Sequence, residues 1–269
     1  MSGSIIHLGP WQLGTAAALV LALAALTWYL RLALSGKLLV AAVRTVIQLL
    51  LLGLVLEYLF ASARPWLIAL VAMVMLSVAG REVMARQSRP FKGWWGYGLG
   101  AISMFVSSFL IMLFALNVII APTPWYTPQY AIPLLGMMLG NTMSGVALTL
   151  DHLTQDAWRS RAVIEARLML GEDWRSAMRD MIRDSVRTGL IPIINAMAAA
   201  GIISIPGMMT GQVLAGNSPM IAASYQMLIM FMITAGTGFA AVLASWLGAR
   251  GLFDERQRLR LERLRPPVK

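Results

Sequence analysis

The sequence predicts an all-α, polytopic integral membrane protein, and three observations carry that prediction. Only 13% of the 269 residues are charged while 58% are hydrophobic, about half the charged fraction of a soluble domain. The apolar residues gather in long unbroken blocks, matching the ~20 residues a helix needs to cross a bilayer rather than the short alternating strands of a barrel. The basic residues are segregated between alternate loops, the pattern that fixes membrane topology.

Seven spans are expected, at 12–32, 38–60, 66–83, 93–121, 130–150, 188–215 and 219–250. The third is cut short by Gly80-Arg81-Glu82. The first lacks a charged leader and a small-residue cleavage site, so it is read as an anchor rather than a removed signal peptide. Of the 22 Lys and Arg, 20 fall on one side of this arrangement: in the first loop, the third loop, the fifth loop (Arg159, Arg161, Arg167, Arg175, Arg179, Arg183, Arg187) and the tail from Arg250 to Lys269. Arg64 falls on the other side and Arg44 lies inside a span. The basic side is cytosolic by the positive-inside rule, which puts the N-terminus outside and the C-terminus inside and requires an odd number of spans.

The expected organisation is a single transmembrane domain over 1–269, with a cytosolic loop at 151–187 and a basic cytosolic tail at 250–269. The net charge of +10 then reflects topology. A nucleic-acid partner is not expected, because no folded soluble domain presents basic residues with exposed aromatics. With no Cys, disulfides, thiolate metal sites and thiol catalysis are excluded. Trp125 and Tyr126, and across the membrane Trp94, Trp95 and Tyr97, suit the lipid–water boundary. The tail 254–265 has the pattern of a short basic helix near anionic head groups, with a solvated tail that fixes topology as the favoured reading.

The loop at 151–187 holds the most information. Residues 159–170 read as one helix, closed at Gly171 by a left-handed cap; Asp173 caps a second helix from Trp174. On that second helix Trp174, Ala177, Met178, Met181 and Ile182 share a face, with Arg175, Arg179, Asp180 and Arg183 opposite. A loop this rich in large apolar residues calls for a surface to pack against, in this chain or in a partner.

Further along, the fifth span carries Gly136-x-x-x-Gly140 followed by Asn141, a pattern for close helix approach with a hydrogen bond across the contact. The sixth block is punctuated by Pro192, Gly201, Pro206, Gly207, Gly211 and Gly216. A broken helix is expected there, facing a cavity, with Asn195, Ser204, Thr210 and Gln212 as candidate lining groups. In the second span Arg44 and Gln48 are one turn apart. A membrane Arg is costly and turns inward or toward an interface, so Arg44 is read as a clasp to a neighbouring helix or to the loop.

No fixed two-His-one-carboxylate iron site can be assembled from these residues. His7 and His152 lie at opposite ends of the topology, and the spans hold almost no carboxylate beyond Glu57. His152 with Asp156, near Asp151, is the one candidate for a weak cytosolic entry site. The 19 Met are explained mostly by packing. There is no Walker phosphate loop, no Gly-x-Ser-x-Gly and no His-Glu-x-x-His.

Glu165-Ala166-Arg167, three residues, then Gly171 resembles the Glu-Ala-Ala…Gly coupling loop of ABC permeases, with Arg in the third position instead of Ala. A second resemblance covers nearly the whole chain. Arg44-Thr45-Val46-Ile47-Gln48-Leu49, Ile132 to Asn141, Ile182-Arg183-Asp184-Ser185-Val186-Arg187 and Ile205-Pro206-Gly207-Met208-Met209-Thr210-Gly211 are similar, in order and spacing, to segments of the FetB/YbbM-type permeases (the UPF0014 family). That family is linked to iron export in bacteria and aluminium tolerance in plants. The resemblance implies a homodimeric permease subunit in the bacterial inner membrane, without its own cofactor, driven by a separate ABC ATPase that binds ATP and Mg²⁺. It implies metal ions as cargo. Taken together, the residue readings and the resemblance put ATPase coupling at Glu165, Ala166, Arg167, Gly171, Trp174, Arg183 and Asp184, and pore or helix packing at Arg44, Gln48, Gly136, Gly140, Asn141, Asn195, Pro206, Gly207, Gly211 and Gln212. The alternatives are an ion-coupled secondary transporter, which wants titratable groups buried mid-span; a membrane-embedded lipid enzyme, for which Asp151, His152 and Asp156 are the only cluster; and a non-transporting scaffold.

Overall fold

The computed structural model describes residues 9–62, 64–124 and 126–266. His7 and Trp125 therefore lie outside the described residues, as does the end of the tail. Among those described there is no β-strand. The chain runs α1 (Pro10–Tyr29), α2 (Ser35–Ser62), α3 (Pro65–Ala85), α4 (Gly93–Phe114, continued by a π turn at Ala115–Ile119), α5 (Pro128–Arg159), α6 (Arg161–Met169), α7 (Trp174–Ala199), α8 (Gly207–Leu214) and α9 (Pro219–Gly251). Prolines open α1, α3, α5 and α9, where the missing N–H costs nothing.

The centre of the bundle is α5 packed on α9, with α4 and α7 flanking the pair and α3 against α4 and α5. Contact levels give the directions. Met138 reaches Gly236 while Leu150 and Leu153 reach Gly248, so α5 and α9 run parallel. Ser185 lies beside His152, and Gly189 beside Gly145, so α7 is antiparallel to both. The α1–α2 hairpin stands at the periphery, and the most apolar stretch of α2 buries none of its residues within the chain. Continuous helices of this kind satisfy their own backbone and can face lipid.

Polar side chains are threaded through the core. Ser107 Oγ donates to the Gly236 carbonyl of α9 at 2.6 Å, and Thr149 Oγ1 donates back to the Gly145 carbonyl at 2.8 Å. The tightest seam is where α5, α7 and α9 meet. A Cβ on Gly189 would overlap Thr149 Oγ1 and stand 2.7 Å from the Gly145 carbonyl oxygen; a Cβ on Gly145 would run into Thr237. Without a hydrophobic force between helices in lipid, close backbone approach of this kind is what holds a bundle together.

Among the described residues six helices are long and apolar enough to cross a membrane, and the expected span at 188–215 is not among them. Its residues divide between the C-terminal half of α7, an irregular turn at 200–206 and the short α8. The reason is local. Gly201 adopts φ +79°, Pro206 has no N–H, and the N-terminal half of α7 is spent on the charged face. The expected third span agrees with α3 to within two residues, whereas the expected fifth is too short: α5 continues through to Arg159.

The tail also departs from expectation. It forms no α-helix along the head groups but folds back as an irregular clasp. Phe253 and Leu259 pair across a turn, the Arg260 N–H donates to the Leu252 carbonyl at 2.7 Å, and Leu261 and Leu264 are buried. The clasp then reaches the α3–α4 connection: the Lys92 N–H donates to the Arg263 carbonyl at 2.8 Å and the Arg265 N–H to the Pro90 carbonyl at 2.9 Å.

Candidate functional site

At one end of the bundle α6 forms a hairpin with the start of α7, and the sequence dictates its geometry. Gly171 sits at φ +91°, a left-handed conformation open to glycine and strained for a branched residue. Asp173 follows as N-cap, accepting from the Ser176 N–H at 2.9 Å. The Ser176 hydroxyl first, and its N–H second, hold the Asp173 carboxyl below the ordinary carboxylate range. Trp174 is buried against Trp246 and Phe253, with centroids 6.3 and 6.1 Å away, and its backbone N–H donates to Gln257 Oε1 of the tail at 3.1 Å. Asp254 organises that tail turn by accepting from the Arg256 and Arg258 N–H groups, both at 2.9 Å. The Arg258 amide bond, foremost, lowers the Asp254 carboxyl.

The hairpin is thus pinned from behind while its tip projects. Met169 and Leu170 are 83% and 84% exposed. Glu165 pairs with Arg161 at 2.8 Å along α6, and Arg167 with Asp180 at 3.3 Å across to α7. Beneath the tip lies a groove of about 790 Å³ lined by Glu165, Gly171, Asp173, Arg256 and Arg258 among others. The structure therefore brings Glu165, Ala166, Arg167, Gly171 and Trp174 into one hairpin. Arg183 and Asp184 are exposed two to three turns along α7 from Trp174.

At the other end, α8 packs beside the start of α9. A cavity of about 350 Å³ opens between α5, α8 and α9, lined by Gln129, Met137, Met208, Gln212, Asn217 and Tyr225 among others. The Oε1 of Gln212 is buried there with no hydrogen-bond partner. Pro206 caps α8, with Gly207 and Gly211 in its exposed turns. Asn195 is exposed on α7, and Asn141 is exposed on α5, donating only to its own helix at the Met137 carbonyl.

The predicted Gly136–Gly140 contact is not the close approach. Gly136 faces Met75 of α3, and nothing lies within 4 Å of where a Gly140 Cβ would be. The seam is Gly145 against Gly189, and Gly189 was missed because it sits where α7 passes from charged to apolar, outside any small-residue repeat. Arg44 pairs with Glu82 of α3, a partner 38 residues on in the chain. Gln48, one turn on, stays exposed and joins neither end. In the tail, Gln257 and Arg263 went unnoticed; the spacing of Phe253, Leu259, Leu261 and Leu264 was the available signal.

Among the described residues no group of three or more His, Asp or Glu converges to hold a metal. Asp151 is committed to the α3–α4 connection, accepting from the Ser88 N–H at 2.6 Å and from Gln155 at 2.7 Å. His152 lies 3.2 Å from Asp156 and 3.4 Å from Ser185 Oγ.

Together these features define an all-α, multi-pass membrane protein with an exposed, braced hairpin at one end and a broken helix beside a cavity at the other. The pattern of the family described as an uncharacterised protein family, UPF0014, matches residues 10–253, and the chain belongs to that family. It is 39% identical to the UPF0014 membrane protein slr1647 of Synechocystis over 93% of this chain and 94% of that one. It is 30% identical to the protein ALUMINUM SENSITIVE 3 of Arabidopsis thaliana over 91% and 88%. It is 29% identical to the "probable iron export permease protein FetB" of Escherichia coli over 87% and 88%. No solved structure matches the chain. Relatives named as membrane proteins and a permease fit a transporter rather than an enzyme.

Proposed function

We propose that this chain is the permease subunit of a metal-ion exporter in the bacterial inner membrane, working as a homodimer with two copies of a separate ATPase. The hairpin end faces the cytosol, as the segregation of Lys and Arg requires. The observation that carries the reading is the α6–α7 tip. Met169 and Leu170 stand almost fully exposed on a hairpin fixed from behind by Trp174 and Gln257. A rigid lever with a greasy tip suits a cleft in a partner, and a push on it travels through Trp174 to α9 and along α7 to the break above Ala199. Iron-type cargo rests on the name of the bacterial relative. ATP and Mg²⁺ belong to the partner.

Gly171→Val tests the coupling. Valine at φ +91° is a conformational outlier, so the tip must rearrange while the spans stay inserted. With the partner ATPase in reconstituted vesicles, metal efflux per ATP hydrolysed should fall at least tenfold. Wild-type efflux by that variant overturns the assignment of the hairpin.

A further inference from the structure

The break in the α7–α8 segment lies at a depth where lipid cannot cover it. Thr234 Oγ1, which donates to the Met230 carbonyl of its own helix at 2.7 Å, lies 2.8 Å from Met197 Sδ, which fixes the end of α7 level with Thr234. Thr234 sits close to the midpoint of α9, Pro219–Gly251, a helix about 50 Å long at 1.5 Å per residue. The irregular turn at 200–206 therefore lies near the middle of the ~30 Å hydrocarbon layer.

The turn does not satisfy its own backbone. The N–H groups of Ile202, Ile203 and Ser204 all converge on the Ala199 carbonyl, and that of Gly201 goes to the Ser204 carbonyl. The carbonyls of Met197 and Ala198 lose the donors that residues 201 and 202 would have supplied in an unbroken helix. Yet the segment is bare within one chain: Ile202 is 87% and Ile203 84% exposed, with Ile205 also exposed. Asn195 is exposed on the turn of α7 just before. Asn141 of α5 is one turn on from Gly145, whose partner is Gly189, so the antiparallel register sets it level with Ile193. Irregular backbone and bare amides at this depth occur only where protein or a water-filled path covers them. The exposed face of α2 makes no such demand, because it is a continuous apolar helix.

We propose that a second copy of this chain seats on the broken-helix face. The isoleucines of the turn meet across a twofold axis, and Asn141, Asn195 and the carbonyls of Met197 and Ala198 line a hydrated path between the copies. This rests on reading the chain as half of a paired permease. It adds where the halves meet, and that the path is walled by uncharged oxygens from both. A cation passing there sheds part of its water onto carbonyl and amide oxygens without meeting a carboxylate that would hold it.

The chain has no Cys, so single cysteines report cleanly. Ala198→Cys, Ile202→Cys, Ile203→Cys and Ile205→Cys, with Val46→Cys, Leu50→Cys and Leu54→Cys on α2 as comparison, are oxidised in native membranes without ATPase or cargo. A disulfide needs Cα atoms within about 7 Å, so a dimer band from at least one turn position and none from α2 is expected. Bands from α2 alone overturn the placement while leaving the pairing of two copies intact. No band from any position, with a monomeric mass after amine crosslinking of the wild type, overturns the pairing itself. In membranes where the dimer forms, Asn195→Cys should react with a water-soluble, membrane-impermeant maleimide at least tenfold faster than Leu50→Cys. Equal, slow reaction makes the interface dry and overturns the path.

Discussion

Gly189→Ala is the sharpest test of how the bundle is held. The new Cβ would stand 2.7 Å from the Gly145 carbonyl oxygen and overlap Thr149 Oγ1. A carbon–oxygen contact settles near 3.3 Å, so α7 must back away from α5 by roughly 0.6 Å. Thr149 must rotate and give up its bond to Gly145. Overpacking costs about 1–3 kcal/mol and the lost hydrogen bond about 1 kcal/mol. The gain in helix propensity from Gly to Ala offsets about 0.5–1 kcal/mol. The net is a destabilisation of about 2 kcal/mol, or about 6 °C at ~2–4 °C per kcal/mol for a chain of this size. Thermal unfolding of detergent-purified protein, followed by tryptophan fluorescence, reads this directly. Gly53→Ala is the comparison, since nothing lies within 4 Å of its Cβ and it should leave Tm unchanged or slightly raised. If both variants melt together with the wild type, the Gly145–Gly189 seam is not what sets the spacing of α5, α7 and α9.

Two further outcomes follow from pairings described above. Glu82→Arg should lower the yield of folded protein by leaving two arginines side by side, and adding Arg44→Glu should restore it; the pair itself is worth about 1 kcal/mol or less, so the rescue, measured by size-exclusion recovery, is the informative result. Asp254 titrates below its ordinary range, mainly because it accepts from the Arg258 amide. Its contribution is therefore complete above the unfolded carboxylate value near 4 and is lost as pH falls through the lowered folded value. Tail protection in hydrogen exchange should be flat from pH 8 to 5 and drop below about 4, and Asp254→Asn should show the loosened tail already at pH 7.

The membrane class, most of the helices and the hairpin at Gly171 and Asp173 were legible in the sequence because each has a local cause: apolar length, a left-handed glycine, a capping carboxylate. The broken segment was legible too, through Pro206 and its neighbouring glycines, though not that its two parts would fail to make one span. What stayed hidden depends on partners far apart in the chain. Arg44 finds Glu82 only when α2 is laid against the end of α3. Gly189 matters only opposite Gly145, and Gln257 only opposite Trp174. A tail rich in arginine reads as solvated until Leu261 and Leu264 are found buried against other elements.

The clasp between the tail and the α3–α4 connection carries a consequence for biogenesis. Pro90 and Lys92 leave the ribosome long before Arg263 and Arg265, the residues that receive them. Every helix can therefore be inserted while the hairpin face still lacks its backing. The surface becomes complete only once residues 253–265 have been made, so that a chain stalled or clipped after α9 would sit in the bilayer without offering its finished face to anything.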